Sequence, residues 1–294
     1  MSRFAIVIDG TAALPEELAR ANDIRWLPLK VILNDQAFVA ATSAAEAGKP
    51  GYLSPAEFYE RIVPKDVKPE TSAPNIEECL AVYDGAIAAG AREIVVLTIA
   101  TELSATYSVV ATTAQQRADR ARIEVIDTRS LAGGISLIAT AVARLRERGG
   151  SFDEAVPLAR KMAGTIQTYA ATDTLEYLRR SGRVSGGAAL FGTLLAVKPI
   201  LEVGNGAVHP VDKVRTRDKA VARLKELVAK KTAPGAKIHA CVLHTNDPER
   251  ARQLSAWLQE QYHCVEHYLA EAGPVIGARA GPGVIGVCWY PEGA

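Results

Sequence analysis

Small hydroxyl side chains recur in three short segments of the sequence. The segments are Asp9-Gly10-Thr11, Thr71-Ser72-Ala73-Pro74 and Thr101-Glu102-Leu103-Ser104-Ala105-Thr106. In an open parallel sheet, ligands bind where loops leave the carboxyl ends of the strands, and the helix N-termini that follow offer unpaired N–H groups to an anion. The pattern therefore predicts a site for a carboxylate or a phosphate. The alternative is that Thr71, Ser72 and Ser104 only cap helices.

The sequence lacks the motifs of several common catalytic and nucleotide-binding sites. No lysine follows a serine in S-x-x-K spacing, so a nucleophilic serine is not expected. No G-x-x-x-x-G-K-[ST] motif is present to cradle nucleotide phosphates. The stretch from Gly281 to Gly286 matches G-x-G-x-x-G, but it precedes a predicted strand and no helix follows, as a dinucleotide site would require. We therefore expect no nucleotide site, no other cofactor and no catalytic residues.

The histidines give a weaker signal. His263 and His267 lie four residues apart with Cys264 between them, so on a strand both imidazoles share one face. A zinc site needs further ligands at recognisable spacing, and none is visible, so no metal is expected. His244 follows a predicted strand, where it is either a site residue or a locally bonded side chain.

Residues 212–231 form a basic segment. It holds eight basic and three acidic side chains, a charge of +5 in a chain whose net charge is +1. One interpretation is the solvated face of a helix; the other is a docking surface for an acidic partner, led by Arg215 and Arg217. The segment contains no aromatic residue, so single-stranded nucleic acid is not the expected partner.

The composition is that of an ordinary globular protein. The 294 residues suggest two domains, and 34 basic against 33 acidic residues give no reason to expect nucleic-acid binding or more than a transient membrane contact. Four scattered cysteines without a C-x-x-C pair predict buried thiols in a reducing compartment. The longest apolar run is far shorter than the roughly 20 residues of a membrane span. The expected location is the cytoplasm.

The periodicity of the first half predicts a parallel sheet. Apolar runs at 4–8, 26–33, 93–100 and 123–126 alternate with helical patterns, as in βαβ units. Residues 34–53 are polar and rich in alanine, which predicts a long surface loop.

The second half combines helices with a hairpin at Gly204-Asn205-Gly206, which favours an α+β domain. The predicted architecture is an N-terminal α/β domain (1–160) followed by a C-terminal α+β domain (161–294).

The strongest motif occupies residues 175–185 (LEYLRRSGRVS) and 192–201 (GTLLAVKPIL), and it resembles the DegV family. Further blocks agree in order along nearly the whole chain: IDGTAALP at 8–15, TSAP at 71–74, LSATY at 103–107, VIDT at 125–128, KVRTR at 213–217 and GPG at 281–283. Several blocks in the right order are more specific than any one of them.

The resemblance implies a bacterial fatty-acid-binding protein of two α/β domains. The acyl chain is then buried in the interior near the domain interface, and its carboxyl group is held by Thr71 and Ser104, with Ser72 beside them and Arg183 nearby. The resemblance also implies an ATP-dependent fatty acid kinase as partner, which makes acyl phosphate. The chain itself is then a carrier, not an enzyme.

This sequence departs from the family pattern at several places. Gly10 and Ala13 stand where the family usually has Ser and Asp, and Ala105 replaces the glycine of L-S-G-T. Arg279 precedes the G-P-G turn, where the family commonly has a histidine. An arginine there can face an anion as a fixed cation but cannot shuttle protons.

The rival hypothesis is an enzyme that acts on a small anion in the interdomain cleft. Its candidate acid, base and anion clamp are Asp9, His244 and Arg183.

Overall fold

The computed structural model describes residues 4–62, 67–184 and 197–293. Within these ranges the strands form three sheets, and helices cover their faces. Residues 185–196 lie outside the described residues, and with them residue 185 and residues 192–196 of the strongest family motif.

The first sheet is parallel throughout, in the order β2-β1-β7-β8. Its strands are β1 (Ala5–Asp9), β2 (Ile24–Leu27), β7 (Glu93–Thr98) and β8 (Arg122–Asp127). Strand β1 is buried along its whole length, as the continuous apolar run predicts for a parallel strand covered on both faces. The predicted N-terminal parallel sheet is confirmed.

The helices of this half follow the predicted alternation. They are α1 (Glu16–Ala21), α2 (Pro55–Ile62), α3 (Ile76–Ala88), α4 (Thr106–Ala114), α5 (Gly133–Glu147) and α6 (Phe152–Met162). A short 3-10 turn at Gln115–Arg117 follows α4 directly. Ser54 and Ser151 form capping boxes with Glu57 and Glu154.

A small second sheet contains β3 (Lys30–Leu33), β4 (Gln36–Ala40), β5 (Tyr52–Leu53) and β6 (Glu70–Ser72). The expectation of one long surface loop over 34–53 is therefore wrong in part, because β4 and β5 lie inside it. Asn34 and Asp35 both have positive φ, at 49° and 64°. They make the tight turn that folds β4 back on β3, and the Asn-Asp pair is the signal that could have predicted it.

The third sheet has six strands in the order β11-β10-β9-β14-β12-β13. They are β9 (Gln167–Ala171), β10 (Lys198–Gly204), β11 (Ala207–Val214), β12 (Lys237–His244), β13 (His263–Glu271) and β14 (Ile285–Pro291). The accompanying helices are α7 (Glu176–Ser181), α8 (Arg217–Lys231), α9 (Pro248–Gln261) and α10 (Pro274–Ala280). Only β12 and β13 pair in parallel, so the sheet is mixed, which confirms the α+β expectation.

Helix α5 joins the two larger sheets. It packs against β1 of the parallel sheet and against β12 and β14 of the mixed sheet. A Cβ at Gly133, its first residue, would lie 2.8 Å from Cys241 Sγ and 3.0 Å from Cys288 Sγ, so glycine permits this close approach. The strands of the parallel sheet end by Asp127 and those of the mixed sheet begin at Gln167. The division at residue 160 falls between them and stays a prediction.

The sequence analysis predicted buried thiols and no membrane span. Cys79, Cys241 and Cys288 are buried free thiols, as expected, and Cys264 is half-buried. Among the described residues, no helix combines the length and the hydropathy that crossing a membrane requires.

Candidate functional site

A cavity of about 210 Å³ lies where the three sheets meet, and we call it the apolar cavity. Most of its wall is aliphatic, contributed by Leu29, Ile99, Leu103, Leu131, Leu178, Leu201, Val203, Val208, Leu243, Val275, Ile276 and Val284. Loops after β1 and β7 contribute to it, as the prediction of a site at the carboxyl edge of the parallel sheet requires. Its walls suit a long apolar ligand.

All five predicted ligand residues line this cavity: Thr71, Ser72, Ser104, Arg183 and Arg279. The arrangement brings together side chains from β6, the β7–α4 loop, the end of α7 and α10. Their assignment as carboxyl ligands remains a proposal, since the structure contains no ligand to contact.

Arg279 and Thr71 form the centre of the polar part of the wall. The Arg279 guanidinium donates to Thr71 Oγ1 from Nε at 2.9 Å and from Nη2 at 2.6 Å, and Nη2 also donates to the Thr71 carbonyl at 3.3 Å. The Thr71 hydroxyl accepts from the arginine, so its own proton remains available to a carboxylate. The two residues are 208 positions apart in the sequence, and only the packing of α10 on β6 unites them.

Arg183 and Ser104 meet at the β7–α4 loop. Arg183 Nε donates to the Leu103 carbonyl at 3.2 Å, and Nη1 donates to the Ser181 carbonyl. Ser104 Oγ lies 2.8 Å from Thr106 Oγ1 and accepts from the Thr106 backbone N–H. The serine hydroxyl thus lies beside the first residue of α4, where an anion is favoured by the helix dipole.

Burial lowers the pKa of Arg279, the nearby positive charge of Arg183 lowers it further, and Glu70 acts in the opposite direction. Within the described residues, neither arginine has a carboxylate within ion-pair distance; both donate to neutral oxygens. Two guanidiniums in one wall, with no carboxylate at ion-pair distance among the described residues, favour an anionic ligand.

The prediction that Thr71 and Ser72 lie at a helix start is wrong. They belong to β6, where Thr71 pairs with Val31 and Ser72 with Lys30. Asn75 caps α3 instead, with a capping box to Glu78. The Thr71 hydroxyl is consequently free of the capping role that was its alternative interpretation.

Two family departures have local explanations. A Cβ at Gly10 would lie 3.3 Å from the Leu27 carbonyl oxygen and 3.3 Å from the Leu29 amide nitrogen, so the turn fits closely against backbone here. Ala105 lies at φ −73°, an ordinary conformation that does not require the family's glycine.

The residues of the rival enzyme hypothesis do not share one site. Arg183 lines the apolar cavity, but Asp9 and His244 do not. Asp9 is fully buried and accepts hydrogen bonds from Thr11 and from the Ile99 N–H; burial raises its pKa, and these bonds oppose the rise. His244 is buried, which lowers its pKa, and its Nδ1 lies 3.8 Å from Glu271 Oε1.

Three of the eight basic side chains of the basic segment form ion pairs. Arg217 makes a bidentate ion pair with Asp173, Arg223 pairs with Asp212 and Glu226, and Lys231 pairs with Glu202. Arg215 is exposed. Of the two predicted docking residues, Arg217 therefore has a structural partner.

His263 and His267, the two histidines four residues apart, have different surroundings on β13. His267 Nε2 lies 3.2 Å from Ser255 Oγ, and His263 is exposed. Over residues 4–62, 67–184 and 197–293, no group of three or more His, Cys, Asp or Glu side chains is close enough to hold a metal ion.

The sequence analysis did not identify the other residues that line the apolar cavity. Leu178 of α7, Val275 and Ile276 of α10 and Leu201 of β10 read as ordinary core positions, and no local signal separates core from cavity wall. Only the arrangement of three sheets leaves space between them.

Comparisons with known proteins agree with this geometry. The model of the DegV family of uncharacterised proteins matches residues 3–292. A DegV domain-containing protein of Streptomyces coelicolor is 38% identical over 289 residues, with 98% of each chain covered.

Two solved structures have the same fold. A DegV lipid-binding protein from Thermotoga maritima is similar at a TM-score of 0.88 and 26% identity, over 99% of both chains. DegV from Bacillus subtilis, a fatty-acid-binding protein, is similar at a TM-score of 0.86 and 29% identity, over 99% of this chain and 100% of that one.

Proposed function

This chain belongs to the DegV family, and from that premise we propose that it binds a long-chain fatty acid in the apolar cavity. The carboxyl group is placed against Thr71, Ser72, Ser104, Arg183 and Arg279. The observation that carries the proposal is the cavity itself, an aliphatic space whose polar groups belong to the predicted residues. Fatty-acid binding by the Bacillus subtilis relative supports it.

The energetics divide between the two parts of the ligand. Each buried methylene contributes roughly 0.8 kcal/mol, so the aliphatic walls supply most of the affinity. A buried carboxylate is costly unless it is hydrogen-bonded and paired. The Thr71 and Ser104 hydroxyls and the two guanidiniums offset that cost and orient the acid.

We further propose that the chain presents this carboxyl group to a separate ATP-dependent kinase in the cytoplasm and is not itself an enzyme. In that reaction a carboxylate oxygen attacks the γ-phosphorus of ATP, the bond from that phosphorus to its bridging oxygen breaks, and ADP leaves. The exposed Arg215 remains a candidate for kinase docking, whereas Arg217 is held by Asp173.

The deciding experiment is mass spectrometry of the native protein, followed by mass spectrometry of its denatured organic extract. We expect a mass excess that resolves into a long-chain fatty acid. Protein that purifies empty and does not bind added fatty acid would overturn the proposal. An extracted apolar ligand of another class would keep the cavity and discard the fatty acid.

Substitutions at the hydroxyls test where the carboxyl group lies. Thr71→Val and Ser104→Ala should each weaken fatty-acid binding by about fivefold, since each removes a hydroxyl worth roughly 1 kcal/mol. Ser108→Ala is the matched control, because Ser108 is exposed one turn further along α4 and does not line the cavity. Wild-type affinity in the Thr71→Val, Ser104→Ala double variant would contradict the proposed position of the carboxyl group.

A further inference from the structure

One hydroxyl in the wall of the apolar cavity lies apart from the predicted carboxyl ligands. Thr168 lines the cavity from β9 of the mixed sheet. The residues proposed to hold the carboxyl group come from β6, the β7–α4 loop, the end of α7 and α10, so none of them belongs to this sheet. Thr168 also lies about 10 Å along β9 before the strand ends at Ala171, from where the chain continues to α7 and Arg183.

The other side chains of the mixed sheet on this face are apolar. Successive residues of a strand point to opposite faces, so Thr168 and Ala170 share the face toward the cavity. The Tyr169 side chain lies on the opposite face, where its hydroxyl donates to Glu202. The further aliphatic wall positions of this sheet are Leu201, Val203, Val208 and Leu243. A single hydroxyl is therefore set into an aliphatic surface.

The Thr168 hydroxyl is buried and unpaired. The residue is 4% exposed, and within the part of the chain that the structure describes its Oγ1 forms no hydrogen bond. Its neighbour across the sheet is Cys288. Burial raises the pKa of the Cys288 thiol to about 12, and the Thr168 hydroxyl and the Gly134 backbone only oppose that rise. The sulfur therefore keeps its proton, and a thiol is a weak hydrogen-bond acceptor.

An unpaired hydroxyl in an aliphatic wall is costly. It loses the hydrogen bonds that it made with water, whereas valine would have the same shape without that cost. An unsubstituted alkyl chain cannot offset the cost, because methylene groups neither donate nor accept. A ligand that carries its own hydroxyl can, and a site that pairs with such a group discriminates against the analogue that lacks it.

We propose that Thr168 hydrogen-bonds a hydroxyl group carried on the alkyl chain of the bound acid. This inference rests on the proposed fatty-acid binding and narrows the ligand to a hydroxylated long-chain fatty acid. The carboxyl group of that acid remains at the residues proposed above, and its chain hydroxyl lies at β9. Thr168 is then a specificity-determining residue, and its hydroxyl can both donate to the ligand and accept from it.

The probes are stearic acid and a series of hydroxystearic acids, each with one hydroxyl group at a different position along the chain. Titration calorimetry gives the affinity of each for delipidated wild-type protein, Thr168→Val and Thr168→Ser. Valine removes only the hydroxyl, and serine keeps it. Ser130→Ala is the matched control, because Ser130 Oγ is also buried and unpaired among the described residues but does not line the cavity.

Wild-type protein should prefer one hydroxystearic acid, or a few neighbouring isomers, because the hydroxyl of Thr168 is held in place on a strand. Thr168→Val should lower the affinity for those isomers by about tenfold, as the loss of a buried hydrogen bond predicts. Its affinity for stearic acid should stay the same or rise, since no unpaired hydroxyl then faces the chain. Thr168→Ser should keep the wild-type preference, and Ser130→Ala should change none of these affinities.

The other outcomes count against the inference. Equal changes for stearic acid and for every hydroxy acid would show that Thr168 only shapes the wall. Unchanged affinities, or equal losses at every hydroxyl position, would also overturn the assignment, while binding of stearic acid by the wild type would leave the proposed function standing. Wild-type protein that binds no member of the series would overturn the proposed function as well.

Discussion

Two regions of this molecule are rich in basic side chains, and they differ in how their arginines are paired. In the basic segment, residues 212–231, Arg217, Arg223 and Lys231 all reach carboxylates. Around the apolar cavity, Arg183 and Arg279 donate only to carbonyl and hydroxyl oxygens within the described residues. The basic segment contains more basic side chains. The two guanidiniums beside the apolar cavity have no carboxylate at ion-pair distance among the described residues.

The difference teaches that pairing, more than the number of charges, indicates where an anion binds. An ion-paired arginine has its N–H groups engaged and its charge offset, so an incoming anion must displace a carboxylate. A guanidinium bonded to neutral oxygens keeps its charge for a ligand. Burial strengthens the contrast, since it lowers the pKa of Arg279, whereas the Asp173 carboxylate raises the pKa of Arg217.

The largest effect should come from Arg279→Met. This change removes a half-buried cation beside the proposed carboxyl position and keeps an unbranched side chain. We expect fatty-acid affinity to fall about 10- to 100-fold, since a hydrogen bond to a charged group contributes roughly 1.5–3 kcal/mol. Titration with fatty acid gives the change, and Arg92→Met is the control. Unchanged affinity would remove Arg279 from the site.

A second prediction exploits the fixed charge of arginine. Wild-type fatty-acid affinity should be nearly constant between about pH 6.5 and 9, because the guanidinium stays protonated and the carboxylate stays ionised over that range. In Arg279→His, affinity should fall as the pH rises through the imidazole pKa of about 6.5, since only the charged form pairs with the acid. A wild-type profile that follows the histidine pattern would contradict the assignment.

The smallest effect should come from Arg217→Gln in the paired region. We expect unchanged fatty-acid affinity and a loss of unfolding free energy below about 1 kcal/mol, because Arg217 is partly exposed and Lys198 still pairs with Asp173. Urea denaturation gives this difference.

The same variant has a defined pH dependence. Burial raises the pKa of Asp173, but hydrogen bonds from Arg217 and Lys198 outweigh it, so the net pKa is lowered. The stabilisation is therefore present above the unfolded-state pKa of about 3.9 and is lost as the pH falls through the lower folded-state pKa. The gap between wild type and variant should close in that acidic range. A gap that widens there would contradict the ion-pair interpretation.

Much of the fold could be predicted from local patterns. The apolar runs of the parallel strands, the capping boxes at Ser54 and Ser151 and the Asn205-Gly206 turn act over a few residues, so the sequence displays them directly. The hairpin at Asn34 was missed because the polar, alanine-rich stretch beyond it outweighed a two-residue turn signal. Strand β6 was missed because it is short and pairs with a strand almost 40 residues earlier.

The site could be predicted only in part, because its residues are brought together from distant parts of the sequence. The hydroxyls of Thr71 and Ser104 were predicted to be anion ligands, which stays a prediction, and Thr71 was expected at a helix start but lies on a strand. Arg217 was expected to dock a partner, but it forms an ion pair with Asp173, which lies 44 residues earlier in the sequence.

The sequence by itself determined the fold class, the hydroxyl segments and the family blocks, because periodicity, capping and motif order are written into neighbouring residues. Tertiary structure alone decided which cations are neutralised and which are left for a ligand. Ion pairs and cavities depend on elements that meet across the fold, as α10 meets β6 when Arg279 reaches Thr71. The number of charged residues can be counted in the sequence, but the tertiary structure determines which of them form ion pairs.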